Sequence, residues 1–504
     1  MSDLTLVNLN LLFIRYLDTV ERELHVPLGP LYLVSVLERA GFDVDFRDYQ
    51  LNAHDDPFDP VLVADFCEDP APVVGLSCMA NLLPFAVLAA REIKRRWPDR
   101  TVVLGGVGPS GVEETVLERF PWVDLVAHGE GERAVPILLR ALKDGADLDG
   151  VPGIVYRRDG GIVRNPPADR IQDLDSLPRP AFHRVDLRRY AGYGMVTSRG
   201  CPFPCTFCSV APIWGRQPFF RSVSDVVDEM VQLHRDAGID LFLFQDEFFF
   251  STEQRVLDFC AALTATGLPL RWKAFGRVNL ATDRSMAAMA KSGCLEFRLG
   301  IETGSPELLL RLKKGFTADQ AVSLVSRATR IFPRVDCFFI WGFPFETMDQ
   351  FRQSLFQMIA FRLMGARILP SLLAMLPQTD IYQEYKDSGL LRFTPAMLPE
   401  YMVTGHEVCD DGHLSMDPRH QAKFDFIRQH PDVFPGFLLA DYETNIRPKF
   451  QVLQDHGFYP SRARAVTPAD SCGAHSPRLP DDAVIGALSR PVVPPPRANP
   501  SRCS

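Results

Sequence analysis

Short β-forming runs alternate with amphipathic helical stretches along most of this chain, and that alternation restricts it to α/β folds. A first series fills residues 1–145. Its five predicted strands are Leu4–Asn8, Asp43–Asp48, Val73–Ser77, Thr101–Leu104 and Leu125–His128. Five βα units joined by short turns predict a flavodoxin-like, doubly wound parallel sheet, with ligand-binding positions at the carboxyl ends of its strands.

A second series of βα units fills residues 191–394. Its six predicted strands are Met195–Ser198, Leu241–Phe244, Arg271–Phe275, Leu295–Leu299, Cys337–Trp341 and Ile368–Ala374. Because a closed barrel has eight such units, six predict a partial (β/α)6 barrel. Its chemistry is expected on the loops that follow the strands.

Three segments lie outside the two series. A connector rich in Pro and Arg, residues 146–190, contains a predicted hairpin around Asp159-Gly160-Gly161. Residues 395–460 predict mixed or helical structure without an interpretable motif. Residues 461–504 are rich in Pro, Ala, Arg and Ser, and they predict a disordered tail because such a composition buries too little apolar surface.

Composition excludes several classes of function. A chain of 504 residues should contain two or three domains, and its net charge of −9 argues against a nucleic-acid partner. No apolar run is long enough to span a bilayer, and Asp3 stands where a signal peptide would carry positive charge. We therefore expect a cytoplasmic protein without a membrane partner. In that compartment its 11 cysteines indicate metal or redox chemistry rather than a disulfide framework.

Three of these cysteines, Cys201, Cys205 and Cys208, share one short loop directly after the first predicted barrel strand, in the spacing C-x3-C-x2-C. Three thiolates can hold three irons of a [4Fe–4S] cube and leave the fourth iron open, whereas electron-transfer clusters usually have four cysteine ligands. The alternatives are an incomplete zinc knuckle or three buried packing cysteines. No second cysteine pair or histidine pair follows at the spacing of a zinc site.

The triad and the segments after the later strands resemble the radical SAM superfamily, in which S-adenosylmethionine (SAM) binds the open iron of the cluster. The resemblance implies SAM-binding roles at four strand ends. Asp246 and Glu247 would bind the ammonium, Arg277 the carboxylate, the turn with Glu302 the ribose or carboxylate, and the Gly342–Pro344 segment the adenine. The residues with these implied roles are Asp246, Glu247, Arg277, Glu302, Gly342 and Pro344.

The first domain resembles the cobalamin-binding domain of one branch of that superfamily. The implied cobalamin-binding positions lie at the strand ends of the sheet and are Gly29, Ser77, Gly105, Gly106, Gly129 and Glu130. The histidine loop D-x-H-x2-G of many cobalamin proteins is absent from the sequence, so no histidine is expected below cobalt. The alternative is a sheet domain of the same fold that binds nothing.

The resemblance implies a C-methyltransferase that acts on an unactivated carbon of a small-molecule biosynthetic intermediate. SAM cleaved at the cluster would give a 5′-deoxyadenosyl radical, cobalamin would carry the methyl group, and a flavodoxin or ferredoxin would donate the electron. The alternatives are a cyclase or rearrangement enzyme without methyl transfer, and a cobalamin-binding regulator without turnover. The sequence leaves two alternatives for Cys78 and Cys337, which are either packing residues or part of the chemistry.

Overall fold

The computed structural model describes residues 2–16, 19–54, 56–191, 193–393 and 421–459. Between residues 12 and 22 this description covers the backbone alone. The strands of the N-terminal domain are β1 (Leu4–Asn8), β2 (Leu12–Tyr16), β3 (Thr19–Glu23), β4 (Val44–Asp48), β5 (Val73–Ser77), β6 (Thr101–Gly105), β7 (Leu125–Ala127), β8 (Ile154–Arg158) and β9 (Gly161–Arg164). Its helices are α1 (Leu28–Arg39), α2 (Pro60–Phe66), α3 (Leu83–Arg96), α4 (Glu113–Arg119) and α5 (Gly131–Asp144).

The sheet of this domain confirms the predicted flavodoxin-like topology. Its strand order is β4-β1-β5-β6-β7-β8-β9, and the first five strands in that order are parallel. The predicted hairpin at Asp159 forms β8 and β9 and adds to β7 in antiparallel fashion. The separate antiparallel hairpin β2–β3 was not predicted, because it pairs only with itself and carries no following helix to mark it.

The second domain begins at residue 193, and the strands and α-helices of the C-terminal segment are given together with it. Its strands are β10 (Tyr193–Met195), β11 (Ser198–Arg199), β12 (Phe219–Phe220), β13 (Leu241–Phe244), β14 (Arg271–Gly276), β15 (Cys294–Glu302), β16 (Arg334–Trp341), β17 (Arg367–Leu372), β18 (Leu391–Phe393) and β19 (Leu438–Ala440). Its helices are α6 (Val210–Trp214), α7 (Val223–Ala237), α8 (Glu253–Ala265), α9 (Asp283–Lys291), α10 (Pro306–Arg311), α11 (Ala318–Ile331), α12 (Met348–Leu363), α13 (Asp380–Tyr385), α14 (Gln421–Gln429) and α15 (Arg447–Asp455).

The strand order β10-β13-β14-β15-β16-β17 forms one wholly parallel, six-stranded sheet, as expected for the partial barrel. Ser or Thr N-caps start the long outer helices, and each cap side chain accepts a backbone N–H three residues on, which satisfies a donor that the helix leaves unpaired. These caps are Ser222, Thr252, Thr282, Thr317 and Thr347. Regular capping fixes where each loop ends and each helix begins.

The first barrel strand differs from its prediction. Met195–Ser198 was expected as one strand, but β10 ends at Met195, and Ser198 lies in β11, which pairs with β12 in antiparallel fashion. The cause is Asp246, whose carboxylate accepts the N–H groups of Thr197 and Ser198 and so removes them from the sheet ladder. The chain therefore turns out of the sheet just before the cysteines.

The described part of residues 395–460 attaches to both domains. Helix α14 packs Phe424 and Ile427 into the core of the sheet domain. Helix α15 packs against the barrel, where Phe450 stacks on Trp341 with 6.4 Å between ring centroids. Residues 395–420 and the predicted tail at 461–504 lie outside the described residues. In the part of the chain that the structure describes, no helix is both long and apolar enough to cross a membrane.

The carboxyl ends of the two sheets face each other. A Cβ on Gly111, in the turn after β6, would lie 3.2 Å from the backbone nitrogen of Gln378, in the loop after β17. Glu130 and Glu132, after β7, contact Arg199, at the end of β11. Loops that carry predicted site residues therefore meet between the domains.

Candidate active site

The cysteine loop leaves β11 and returns to the barrel wall through Thr206. The Thr206 N–H donates to the Leu312 carbonyl at 3.3 Å, and the Ile381 N–H donates to the Thr206 carbonyl at 3.1 Å. Cys201, Cys205 and Cys208 are half-buried and free of disulfides. The loop is therefore fixed at its middle while its three thiols keep partial access to the space between the domains.

The thiols influence one another electrostatically. Burial raises the pKa of Cys208 to about 11, and the neighbouring Cys205 and Cys201 raise it further. Burial also raises the pKa of Cys201, with Cys205 adding to the shift. Bonds to iron ions would reverse this effect and hold all three as thiolates.

No three His, Cys, Asp or Glu side chains among the described residues converge as the ligands of one metal ion would. A zinc site would need its ligands around a single ion. A cubane has no such requirement, because each thiolate binds a different iron. The donor set of Cys201, Cys205 and Cys208 fits a [4Fe–4S] cluster.

Arg277 lies directly beside the cysteine loop. Its Nη1 is 3.7 Å from the Cys205 Sγ, and its guanidinium lies 3.5 Å from the ring centroid of Phe203. Its Nη2 donates to the Lys314 carbonyl, while Nε is buried without a hydrogen bond. The cation can stabilise a thiolate at Cys205, and contact with a SAM carboxylate stays a prediction.

Asp246 contacts the start of the cysteine loop rather than an open cofactor space. Its Oδ1 accepts the Thr197 N–H at 2.6 Å, the Ser198 N–H and the Ser198 hydroxyl at 2.9 Å. Burial raises the pKa of Asp246 to about 6, and the hydrogen bonds from Ser198 and Thr197 oppose that shift. Its Oδ2 is buried without a hydrogen-bond partner. Asp246 therefore shapes the loop, and only Oδ2 is left for the predicted ammonium contact.

Glu247, the next residue, is exposed, whereas Asp246 is buried. The protein walls around it still displace water, and this desolvation raises the pKa of Glu247 to about 7, with the Asp246 carboxylate adding to the shift. A carboxyl group with a pKa near 7 can ionise when a cationic group binds beside it. The carboxylate then accepts hydrogen bonds from that cation. Glu247 fits the predicted ammonium role better than Asp246 does.

Glu302 ends β15 in a strained conformation, with a left-handed φ of 71° at a register shift in the β15–β16 pairing. Its Oε1 accepts from the Lys314 Nζ at 2.9 Å, and both side chains are buried. The predicted ribose or carboxylate contact of Glu302 therefore competes with an ion pair. Strain of this kind is concentrated at functional sites.

Sequence reasoning missed Lys314. Its Nζ lies 5.7 Å from the ring centroid of Phe207, the aromatic residue that directly precedes Cys208. The residue is only 4% exposed, which for lysine requires a partner such as Glu302. The pair Lys313-Lys314 before a glycine was the available signal, but nothing in the sequence connected it to the cysteine loop.

The Gly342–Pro344 turn is closely packed at Gly342, on the side where a Cβ would stand. A Cβ on Gly342 would lie 2.6 Å from the Leu372 Cδ1 and 2.9 Å from the Ile446 Cδ1, and its φ is 83°. Its N–H donates to the Glu346 Oε2 at 2.9 Å. Gly342 is thus required for close packing beneath the C-terminal segment, and Pro344, half-buried, is left as the member of this turn that could contact a ring.

The predicted cobalamin positions lie along the carboxyl edge of the N-terminal sheet. A Cβ on Gly29, Gly105 or Gly129 would meet nothing within 4 Å, so the surface above them is open. Gly106 closes a tight turn, in which a Cβ would lie 2.7 Å from the Cys78 carbonyl and 3.1 Å from the Ser77 Oγ. An edge without side chains at these positions fits a large planar ligand, which must approach the backbone closely.

Two cysteines left open by the sequence are packing residues. Cys78 is 0% exposed and lies beneath the Gly106–Gly108 turn. Cys337 is also 0% exposed, and it shares the helix-facing side of β16 with Phe339 and Trp341, not the barrel interior. Neither thiol reaches the cysteine loop.

Glu130, one of the predicted cobalamin-binding positions, binds Arg199 in the structure. Its Oε1 accepts from the Arg199 Nη1 at 2.9 Å, and its Oε2 accepts the Ile171 N–H at 2.5 Å. Glu132 accepts from the Arg199 Nη2 at 2.6 Å. Both oxygens of the buried Glu130 are thus engaged by protein groups, and a contact of Glu130 with cobalamin stays a prediction.

Comparison with known proteins places both domains. Residues 195–358 match the sequence profile of the Radical SAM superfamily, and residues 16–139 match that of the B12 binding domain.

Two relatives and one solved structure illustrate the similarity. An uncharacterised methyltransferase of Pyrococcus horikoshii is 32% identical over 64% of this chain and 71% of that protein. The anaerobic magnesium-protoporphyrin IX monomethyl ester cyclase of a Synechocystis species is 30% identical over 59% of this chain and 60% of that protein. The radical S-adenosylmethionine methyltransferase TsrM from Kitasatospora setae, solved with cobalamin and a [4Fe–4S] cluster bound, superposes with a TM-score of 0.62 at 22% identity, over 79% of this chain and 80% of that chain. At that identity the likeness to TsrM concerns the fold.

Proposed function

The chain belongs to the radical SAM superfamily, in the branch with an N-terminal B12-binding domain, and we propose that it is a methyltransferase that modifies an unactivated carbon of a small-molecule intermediate. The observation that carries this proposal is the position of the cysteine loop. It lies where the carboxyl ends of a cobalamin-type sheet and of a partial barrel meet. Two cofactor sites that face one space suit a reaction that needs both.

The cofactors of this family are a [4Fe–4S] cluster, SAM and cobalamin. When bound, the cluster supplies the electron that cleaves SAM, and cobalamin carries the methyl group. The residues of this chain would hold them in defined ways. Cys201, Cys205 and Cys208 would bind the cluster, Arg277 would offset its negative charge at Cys205, and Glu247 would bind the ammonium of SAM. The open glycine edge of the sheet would receive the corrin.

A second candidate function follows from the cyclase relative. That protein is nearly as similar to this chain as the methyltransferase relative is, so a ring-forming reaction without methyl transfer is the main alternative. The regulator alternative accounts for the sheet domain but gives no use for three accessible cysteines in one loop. An electron donor such as flavodoxin or ferredoxin is part of the proposal under either reaction.

The direct test of methyl transfer is anaerobic turnover with candidate intermediates, a reductant, SAM and cobalamin, followed by mass spectrometry. A product heavier than its substrate by one CH2 group supports methyl transfer. A product that has lost hydrogen without gaining carbon would instead assign the chain to ring formation.

Cobalamin should bind without a histidine nitrogen below cobalt. The sequence has no D-x-H-x2-G loop, and the open positions at the sheet edge are glycines rather than a ligating side chain. Electron paramagnetic resonance of the cob(II)alamin form measures this directly. Superhyperfine splitting from a protein nitrogen would contradict the prediction.

SAM affinity should depend on pH through Glu247. Only the ionised carboxylate binds an ammonium well, and desolvation places the pKa of Glu247 at about 7. The ratio of the SAM dissociation constants of Glu247→Gln and wild-type protein should therefore be larger at pH 8 than at pH 6, where the wild-type carboxylate takes up a proton. Equilibrium dialysis with the reconstituted protein measures it.

The Glu247→Gln variant should bind SAM more weakly than the wild-type protein at pH 8 and about equally at pH 6. Asp258→Asn, on the exposed side of α8, is the control and should keep the wild-type profile. The same ratio of variant to wild-type dissociation constants at both pH values would exclude Glu247 as the ammonium ligand.

A further inference from the structure

We propose that Arg199 is a positioning residue that locks the start of the cysteine loop to the cobalamin-side turn of the sheet domain. In this way it fixes the distance between the cluster and the corrin. The inference rests on the proposed function for the identity of the two groups. The contact itself, between Arg199 and the pair Glu130 and Glu132, does not depend on that identity.

The contact joins the two domains at one planar group. The guanidinium of Arg199 donates through Nη1 to Glu130 at 2.9 Å and through Nη2 to Glu132 at 2.6 Å. The two glutamates flank the first residue of α5, immediately after the Gly129 turn of the sheet edge. Because Arg199 precedes Cys201 by only two residues, the contact transmits the position of that turn to the first cluster ligand.

The network is buried from water. The side chains of Arg199, Glu130 and Glu132 are 8%, 4% and 9% exposed. The guanidinium also lies 5.7 Å from the ring centroid of Tyr32 in α1 and 5.4 Å from that of Trp214 in α6. Loss of one partner leaves charge uncompensated in a poorly hydrated space, so this network resists sliding of one domain against the other.

The same short segment is held from the opposite side by the barrel. Asp246 of the barrel accepts the N–H groups of Thr197 and Ser198, and Arg170 of the connector donates from Nη2 to the Arg199 carbonyl at 3.2 Å. Residues 197–199 thus have charge-assisted hydrogen bonds to the barrel and to the sheet domain at once. A rigid segment between two cofactor sites can set their separation, and small errors in such a separation are costly to a reaction that needs both groups.

An ordinary interdomain ion pair would have the same geometry, so the test must separate positioning from simple stabilisation. The first variant, Arg199→Lys, keeps the positive charge but cannot donate from two guanidinium nitrogens at once. The second, Glu132→Gln, keeps the shape of the side chain but removes its negative charge. The matched control is Arg164→Lys. Arg164 also binds two glutamates, Glu113 at 2.9 Å and Glu114, but all three lie in the sheet domain.

The first measurement is hydrogen–deuterium exchange of the full-length chain without cofactors. In Arg199→Lys, amides of residues 197–201 and of residues 129–134 should exchange faster together, by about tenfold, because the contact holds both segments. Glu132→Gln should change the same two segments in the same direction. Arg164→Lys should leave both within about twofold of the wild-type protein. A change confined to one segment, or none, would overturn the proposed coupling.

The second measurement is the spin–spin distance between cob(II)alamin and the reduced cluster, read by pulsed electron paramagnetic resonance of the loaded protein. The wild-type and Arg164→Lys proteins should give one narrow distance, and Arg199→Lys a broader or displaced one. An unchanged distance in Arg199→Lys would reduce Arg199 to a stabilising contact and refute the positioning role alone. A wild-type protein that holds neither cluster nor cobalamin would refute the proposed function, and with it the role assigned to Arg199.

Discussion

Alanine at any one of Cys201, Cys205 or Cys208 should leave a folded protein that has lost its cluster and its ability to cleave SAM. Each thiolate binds a different iron, so two cysteines cannot hold the cube against solvent. The fixed middle of the loop, at Thr206, depends on backbone hydrogen bonds and survives the substitution. Reductive formation of 5′-deoxyadenosine should fall by about a thousandfold or more, because no other group supplies the electron.

The measurement is iron content and visible absorbance after anaerobic reconstitution, together with 5′-deoxyadenosine formed from SAM. Cys337→Ala is the matched control, since Cys337 is a fully buried barrel cysteine on the helix-facing side of β16. It should retain the cluster in full. Wild-type absorbance in any of the three loop variants would refute the assignment of the triad.

Lys449→Met should destabilise the barrel by about 3–5 kcal/mol, because it leaves a buried carboxylate without its cation. The Lys449 Nζ lies 3.0 Å from the Glu346 Oε2 and donates to the Glu346 carbonyl at 2.9 Å. The two side chains are 1% and 0% exposed. The pair fastens α15 over the turn of Gly342, whose N–H donates to the same carboxylate.

The loss should depend on pH in a defined direction. Burial raises the pKa of Glu346, and removal of Lys449 removes the main effect that opposes this shift. Above the ordinary glutamate pKa the folded variant then retains a proton that the unfolded chain releases, so its stability falls as pH rises. Urea unfolding of the variant should therefore show a lower midpoint at pH 8 than at pH 6.

Two further variants complete this test. Glu346→Gln combined with Lys449→Met should recover most of the lost stability, since no unpaired charge is left. Lys143→Met removes a solvent-accessible bridge to Asp3 and should cost less than about 1 kcal/mol. Equal losses in the free energy of unfolding for Lys449→Met and Lys143→Met would contradict a larger contribution from the buried pair.

The fold could be predicted from sequence because its elements have local signals. The alternation of strands and helices located both sheets, and the wholly parallel order of the six-stranded sheet followed from helices between its successive strands. One predicted strand was wrong. Met195–Ser198 read as one strand, but a carboxylate 48 residues away in the chain takes the N–H of Ser198 out of the ladder. Local pattern carries no information about such a distant acceptor.

The site was predicted at the level of loops and less well at the level of side chains. The sequence placed Asp246, Glu130 and Gly342 correctly at strand ends, where cofactors would bind, but it could not show which way they turn. In the structure Asp246 holds the loop backbone, Glu130 holds Arg199, and Gly342 packs against Leu372. Lys314 was missed for the same reason, because its relation to Phe207 arises only from folding.

The stoichiometry of SAM consumption tests the central claim most directly. Radical methyl transfer uses one SAM for cleavage at the cluster and a second as the methyl source, so 5′-deoxyadenosine and S-adenosylhomocysteine should accumulate in equal amounts with the methylated product. Arg277→Ala and Asp246→Ala should lower both, since one lies against Cys205 and the other shapes the start of the cysteine loop. A cyclase would form 5′-deoxyadenosine without matching S-adenosylhomocysteine. Methylated product with S-adenosylhomocysteine but no 5′-deoxyadenosine would contradict the radical mechanism.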